Sequence, residues 1–391
     1  MKESILHAAL FTPMSDGSWG LRIVLWGDPG TVKSSIIRAI AQRLGFHCEV
    51  LCPGERGEGA FGVTPVPGEA NGTTIMQYPA PEWVKNFRRN GSKEEAGIIF
   101  ADELTTAPPA LQPALLGLIQ DGRLGGHTFG PRVRRIAAAN AVEQAAGGWD
   151  LAAPVANRLG HISWGAPKVS EWSDWMIGAN EQREPIDARK EEARVMQAWP
   201  AAYAKAAGLA SAFLSRRPNL FHKMPEDGSP DASRAWPSAR SWEYAVRARA
   251  SAEVHGLSDI DTDEFVAAFI GLGPSGEWET YIREADLPDP VKILDGQEEF
   301  VHEDDRLDRT WAVLASCTGL VVPEKAEKRK ARAKGLWNLV TEIMKDAKDV
   351  CVPTVKTLIS AKLHTMPEAG PPMTRLHDML KAAGRIGTVA K

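Results

Sequence analysis

The chain has 391 residues, 43% of them apolar, with 46 Lys+Arg against 50 Asp+Glu for a net charge of −4. That length and apolar content allow two or three domains with cores of their own and exclude a disordered chain, while the acidic balance argues against attachment to nucleic acid by bulk charge. Four scattered cysteines (Cys48, Cys52, Cys317, Cys351) and nine histidines make neither a disulfide framework nor a metal-ligand spacing, so reduced thiols and no structural metal are expected.

The chain opens MKESILHAALF, without a basic region ahead of a long apolar stretch, and no run reaches the ~20 apolar residues a membrane-spanning helix needs, so a cytoplasmic protein with no membrane span is expected. Short β-rich runs follow at 21–26 (LRIVLW), 46–51 (FHCEVL), 97–101 (GIIFA), 135–139 (RIAAA) and 161–164 (HISW). Between them, 33–44 carries Ile36, Ile37, Ile40 and Leu44 at helical spacing, and 108–121 carries Leu111, Leu115, Leu116 and Ile119 likewise. Alternating strands and helices point to an α/β domain over 1–165 with a five-stranded parallel sheet. From 166 to 255 the strand signals fade into an all-α segment. A third, mostly helical segment spans 256–391, where 323–391 holds 14 Lys+Arg against 7 Asp+Glu, +7, leaving −11 for 1–322. The 13 tryptophans are spread along the chain and suggest packing and interfaces rather than one aromatic cage.

The strongest motif is GDPGTVKSS (Gly27, Asp28, Pro29, Gly30, Thr31, Val32, Lys33, Ser34, Ser35), which follows the first strand and opens the first helix. A Gly/Pro-rich turn aims backbone N–H groups at phosphate oxygens, and the helix adds its positive end. Lys33 is expected to reach the β and γ phosphates and Ser34 to offer its hydroxyl to Mg2+, with Ser35 the weaker candidate. Val32 stands where the G-x-x-x-x-G-K-[ST] pattern carries glycine; placed at the helix start, where φ is negative, its side chain is expected to fit. The competing role of this segment is an ordinary turn before a core helix.

Sixty-nine residues after Lys33 the strand GIIFA ends in Asp102-Glu103. Asp102 beside Ser34 would hold Mg2+ through its water shell, and Glu103 would polarise the attacking water. The next strand ends in Asn140, an amide able to bond the γ phosphate or that water. Arg158, just ahead of the last strand, suits a neighbouring subunit's site, where a guanidinium stabilises charge on the transferring phosphoryl group. Outside such a series, these would be a solvated turn, a strand-end amide and a surface charge.

The ordered series Gly27–Ser35, Asp102-Glu103, Asn140, Arg158 and then Arg240 in WPSARSWEYA resembles the AAA+ ATPases, specifically the MoxR-like branch, over about residues 20–250. The resemblance carries Walker A, Walker B, sensor 1, arginine finger and sensor 2 onto those positions in that order. It implies a Rossmann-like ATPase core with ATP and Mg2+ bound between subunits of a ring, of six in most relatives. It also implies a helical lid carrying Arg240, acting either in cis or in trans, and a helical C-terminal extension. Residues 55–83 resemble the helix-2 insertion of this clade and DGRLGGHTFGPRVRR its hairpin before sensor 1. Phe61, Val63 and Val66 are thereby candidates for client contact, with loop packing as the competing role. Relatives commonly act as chaperone-like machines with a partner bearing a von Willebrand factor A domain, and such a partner is implied by family alone.

Two other readings compete with a ring ATPase that remodels a protein. One is a nucleic-acid motor using Arg132, Arg134 and Arg135 or the basic run 325–334; the acidic body and the lack of an aromatic-interleaved basic module make a nucleic-acid partner the weaker expectation. The other is an ATP-gated scaffold with little turnover, suggested by Val32 and opposed by Glu103, Asn140 and Arg158, which serve hydrolysis more than binding. Cys48 and Cys52 are expected to be plain strand and loop residues.

Overall fold

A computed structural model describes residues 2–56, 58–62, 64–88, 94–141, 148–178, 184–226, 228–284, 287–322 and 326–363. The chain divides into two compact units that alternate along the sequence, Met1–Met196 with Asn219–Gly276 and Gln197–Pro218 with Glu277–Lys391.

The first unit opens with α1 (Glu3–Leu10), β1 (Ile23–Trp26), α2 (Lys33–Arg43), β2 (His47–Leu51), the antiparallel hairpin β3 (Val66–Ala70) and β4 (Thr73–Gln77), and β5 (Ala96–Ala101). It continues through α3 (Gln112–Leu116), the two-residue hairpin strands β6 (Arg123–Leu124) and β7 (His127–Thr128), β8 (Arg132–Ala139), α4 (Ala153–Ala156), β9 (Gly160–Ser163) and α5 (Val169–Met176). Helix α6 (Ala188–Arg216) begins in this unit, and α7 (Ala239–His255), α8 (Asp259–Ile270) and the start of α9 (Leu272–Glu284) complete it.

Strands β2, β5, β8, β1 and β9 form one parallel sheet in that order. All five expected strands are present, four of them within two residues at either end. β1 and β8 run through the middle and read IVLW and RVRRIAAA, nearly continuous burial as a sheet covered on both faces requires. On one face Val24, Ile99, Ala137 and Ala139 pack with Leu111, Leu115 and Leu118 around the helix that follows β5. That helix is shorter than the 108–121 period suggests: α3 covers Gln112–Leu116 and gives way to a π-type turn over Gly117–Asp121.

β8 starts at Arg132, three residues before the expected strand, because its arginines are internal. Arg134 is wholly buried: its Nη2 lies 2.5 Å from Glu192 Oε1, and its guanidinium sits 5.2 and 4.9 Å from the ring centres of Phe11 and Phe46. Arg132 Nε donates to both oxygens of the same carboxylate at 3.1 and 3.0 Å. Burial, with Arg22 close by, pushes Arg135 down to about 9. Phe61 is likewise part of the core, whereas Val66 is 38% exposed on the β3–β4 hairpin; Val63 lies outside the described residues.

The second unit gathers the later part of α6 and of α9 with α10 (Pro290–Leu294), α11 (Leu307–Val321), α12 (Ala326–Ile343) and α13 (Lys348–Ser360). Its core surrounds the fully buried Trp337, whose indole donates to the Leu363 carbonyl at 2.9 Å, and includes Leu314, Cys317, Val340, Cys351 and Val355. All four cysteines are free thiols, and burial pushes Cys317 and Cys351 up to about 12. On α12, Arg332 from the basic run forks Asp295 at 2.8 and 2.9 Å. Among the described residues no helix is long and apolar enough to cross a membrane.

Removing one partner of a buried ion pair leaves the other charge desolvated, at about 3–5 kcal/mol. Glu192→Ala is therefore expected to lower unfolding stability in urea by about that much, and adding Arg134→Met to recover a large part of the loss. A Glu192→Ala variant as stable as wild type would show that the arginines have another counter-charge.

Candidate functional site

The turn between β1 and α2 is held from outside as well as from within. Trp164, one residue past β9, donates its backbone N–H to the Trp26 carbonyl at 2.5 Å and its indole N–H to the Thr31 carbonyl at 3.0 Å. A Cβ on Gly27 would lie 2.1 Å from the Trp164 carbonyl oxygen, so only glycine fits there. Inside the turn, the Thr31 hydroxyl donates to the Asp28 carbonyl at 2.7 Å, and Gly30 takes φ 78°. Val32 corrects a sequence expectation: it is the N-cap rather than a helical residue, with φ 57° and ψ 22° in the left-handed region. A β-branched side chain resists this conformation by about 1–2 kcal/mol. The missing glycine of the motif is thus felt as backbone strain.

Lys33 extends from the first helical position back under the turn. Its Nζ donates to the carbonyls of Gly27 at 2.8 Å and Asp28 at 2.9 Å and to Asn140 Oδ1 at 2.9 Å. Burial lowers its proton affinity, while Asp102, Asp28 and Glu103 oppose that shift. The Ser34 hydroxyl bonds the Asp102 carboxylate directly. Two hard oxygen donors side by side at the foot of the turn fit a divalent cation such as Mg2+. Glu103 has φ 52°, a backbone conformation that costs a non-glycine residue energy and recurs at functional sites. These residues line one cavity of about 320 Å3 with Pro29, Gly30, Thr31, Val32 and Ser35.

Strand order explains the convergence. β8 lies between β1 and β5, so the turn after β1, Asn140 after β8 and Asp102-Glu103 after β5 emerge at neighbouring points of one sheet edge, with Trp26 opposite Ala139 and Ala101 opposite Ala137. Ligands of open parallel sheets bind outside this carboxyl edge. Arg158 and Arg240 are not among the residues lining the cavity. They lie close enough to each other to interact: burial lowers the Arg158 proton affinity first, and the Arg240 charge adds to that. Arg158 Nη1 donates to the Pro154 carbonyl at 2.6 Å.

Sequence reasoning missed three contributors. The Cys52 thiol, expected to be a plain loop group, points at Glu103 Oε2 at 3.5 Å; burial and then the Glu103 charge push its pKa up, which keeps it a donor. Trp164 clamps the turn, and only its place after the last strand could have signalled this. Third, the turn borders an apolar crevice lined by Val32, Ile36, Pro167, Trp172 and Trp175, the last two from a W-x-x-W spacing on α5.

Models of protein families give no match to this chain, and curated protein sequences give none either. Among solved structures, a "putative ATPase" from Cytophaga hutchinsonii aligns with a TM-score of 0.43 and 16% identity, over 72% of this chain and 88% of that one.

Replacing Val32 by glycine removes a strain of about 1–2 kcal/mol against a glycine entropy cost of about 0.5–1 kcal/mol. Val32→Gly is expected to unfold at the same or a slightly higher urea midpoint than wild type, and Val32→Ala to gain nothing; a clear loss in Val32→Gly would mean that side-chain packing outweighs the strain. Beside the turn, His161 Nδ1 accepts from the Trp26 indole at 2.9 Å and its Nε2–H meets the Ala156 carbonyl at 2.9 Å, and burial pushes it down to about 4. Between pH 6.5 and 4 the unfolded chain then takes up a proton that the folded chain does not. Stability from this group falls as pH drops through that window, by up to about 3 kcal/mol. Urea midpoints measured across the window are expected to fall less steeply for His161→Gln than for wild type.

Proposed function

We propose that this protein is a MoxR-like AAA+ ATPase that hydrolyses ATP at the interfaces of a ring, of six subunits, to remodel or mature a protein client. The observation that carries the reading is the convergence of Lys33, Ser34, Asp102, Glu103 and Asn140 on one cavity at the carboxyl edge of the sheet. The backbone N–H groups of Gly30 to Ser34 and the start of α2 bind the phosphates. Lys33 would exchange its carbonyl partners for β and γ oxygens, and Asn140, already bonded to Lys33, would bond the terminal phosphate or the attacking water. Ser34 and Asp102 would hold Mg2+, which would supply charge neutralisation at the phosphates. Glu103, steadied by the Cys52 thiol, orients and polarises the water.

Arg158, outside the lining of its own chain's cavity, is assigned to a neighbouring subunit's nucleotide, so turnover depends on assembly, while Arg240, close to Arg158, acts on the nucleotide in cis or in trans. A protein client is favoured over nucleic acid because Arg134 and Arg135 are buried and cannot follow a phosphate backbone. The β3–β4 hairpin, with Val66, Ile75, Met76 and Tyr78 exposed, is the client-facing element, and a von Willebrand factor A domain protein is the partner class the resemblance suggests.

ATPase rate and solution mass measured together across protein concentration, with ATP and Mg2+, test this reading. A rate per subunit that climbs with mass is expected. Lys33→Ala should bind ATP at least about tenfold more weakly, Glu103→Gln should bind it normally and trap it, and Arg158→Ala should bind normally yet lose about 10³-fold in turnover. A wild-type rate equal to that of Glu103→Gln would replace hydrolysis by an ATP-gated scaffold, and normal turnover in Arg158→Ala would end its role in trans.

A further inference from the structure

Away from the nucleotide cavity, three helices of the first unit bring together residues far apart in sequence. His7 is on α1, Glu191 on the first turn of α6 and His255 is the last residue of α7. Their ligand atoms all lie within 4.8 Å of one another. His7 Nε2 is 3.1 Å and His255 Nε2 3.5 Å from the same carboxylate oxygen, Glu191 Oε1. With metal–ligand bonds of about 2.0–2.1 Å, neighbouring ligands of a tetrahedral ion stand about 3.3 Å apart, so both distances already suit one shared ion.

The protonation pattern points the same way. His255 Nδ1 is 2.8 Å from the Ser251 carbonyl, which can only accept, so Nδ1 carries the proton and Nε2 a lone pair. The His255 side chain is 4% exposed and its Nε2 is buried without a hydrogen-bond partner. The Nε2 lone pair therefore faces a carboxylate oxygen of Glu191 at 3.5 Å, two acceptors that a cation between them would satisfy. The outer contacts are those a metal ligand set needs: a carbonyl fixes the His255 tautomer, and Arg194 orients the carboxylate through bonds of 2.9 and 2.7 Å while leaving a lone pair on Oε1. Arg43 and Glu3 nearby neutralise each other at 2.7 Å. The cluster lines an open cavity of about 550 Å3, which provides an entry path.

We propose that His7, Glu191 and His255 bind a divalent transition-metal ion, zinc above all, with a fourth position open to this cavity. Two imidazoles and one carboxylate match the ligand preferences of zinc, and three protein ligands leave one place for water or an incoming group. The ion clasps α1, α6 and α7 together and is independent of the Mg2+ assigned to Ser34 and Asp102.

The test uses the full-length protein, freed of metal by a chelator and titrated with Zn2+ by calorimetry near pH 7.5. One Zn2+ per chain is expected. Its affinity should be unchanged in Lys33→Ala and at least about tenfold lower in both His7→Gln and His255→Gln, the first being the milder change because the His7 side chain is 30% exposed and that of His255 4%. Co2+ should give the visible bands of a low-symmetry four-coordinate ion in wild type and lose them in His7→Gln. Zn2+ should raise the unfolding midpoint of wild type but not of His7→Gln. No binding by wild type, or equal affinity in wild type and both variants, overturns the proposal.

Discussion

The candidate site depends on the parallel pairing of β1 with β8. With Trp26 set opposite Ala139, the residues that follow both strands leave the sheet at the same edge, and Lys33 on one side meets Asn140 on the other at 2.9 Å. The pairing of β5 with β8 brings Asp102 to the Ser34 hydroxyl by the same logic. Each strand is too short to place a side chain alone. What positions the five groups is that the sheet is buried on both faces and cannot slip register without exposing its apolar interior.

That scaffold also carries local strain. Val32 and Glu103, both non-glycine residues with positive φ, line the same cavity, and neither conformation would persist without the surrounding contacts. On the Val32 side the contacts are visible: Trp164 ties Trp26, where the turn begins, and Thr31, just ahead of Val32, to the end of β9. On the Glu103 side its backbone N–H bonds the Asp102 carboxylate at 3.0 Å and the Thr106 hydroxyl closes onto its carbonyl at 2.8 Å. A turn held this firmly presents its N–H groups without needing to reorganise.

The arginines of β8 show how one residue type can read two ways. R-V-R-R beside a hairpin looks like a surface stripe, and a stripe of that kind suits phosphates. In the fold, Arg132 and Arg134 meet one carboxylate from α6, and Phe11 and Phe46 cover the guanidinium of Arg134. Charge in a sequence is visible, but its partner is not when 58 residues separate Arg134 from Glu192.

The sequence by itself determined the five strands, their parallel arrangement and the motif residues at their tips, because apolar periodicity and the order Gly27 to Ser35, Asp102-Glu103 and Asn140 are local signals that a buried sheet imposes along the chain. It also set Arg158 apart from the turn after the first strand. The tertiary structure alone decided which side chains from distant segments meet: Cys52 on Glu103, Trp164 on the turn, Glu192 under the arginines, and His7, Glu191 and His255 around one oxygen. It alone decided the sign of φ at Val32, since a residue just ahead of a helix obeys the loop that delivers it rather than the helix that follows. The physical reason is common to all of these: they are set by closure of the chain across tens or hundreds of residues, and no spacing in the sequence records that.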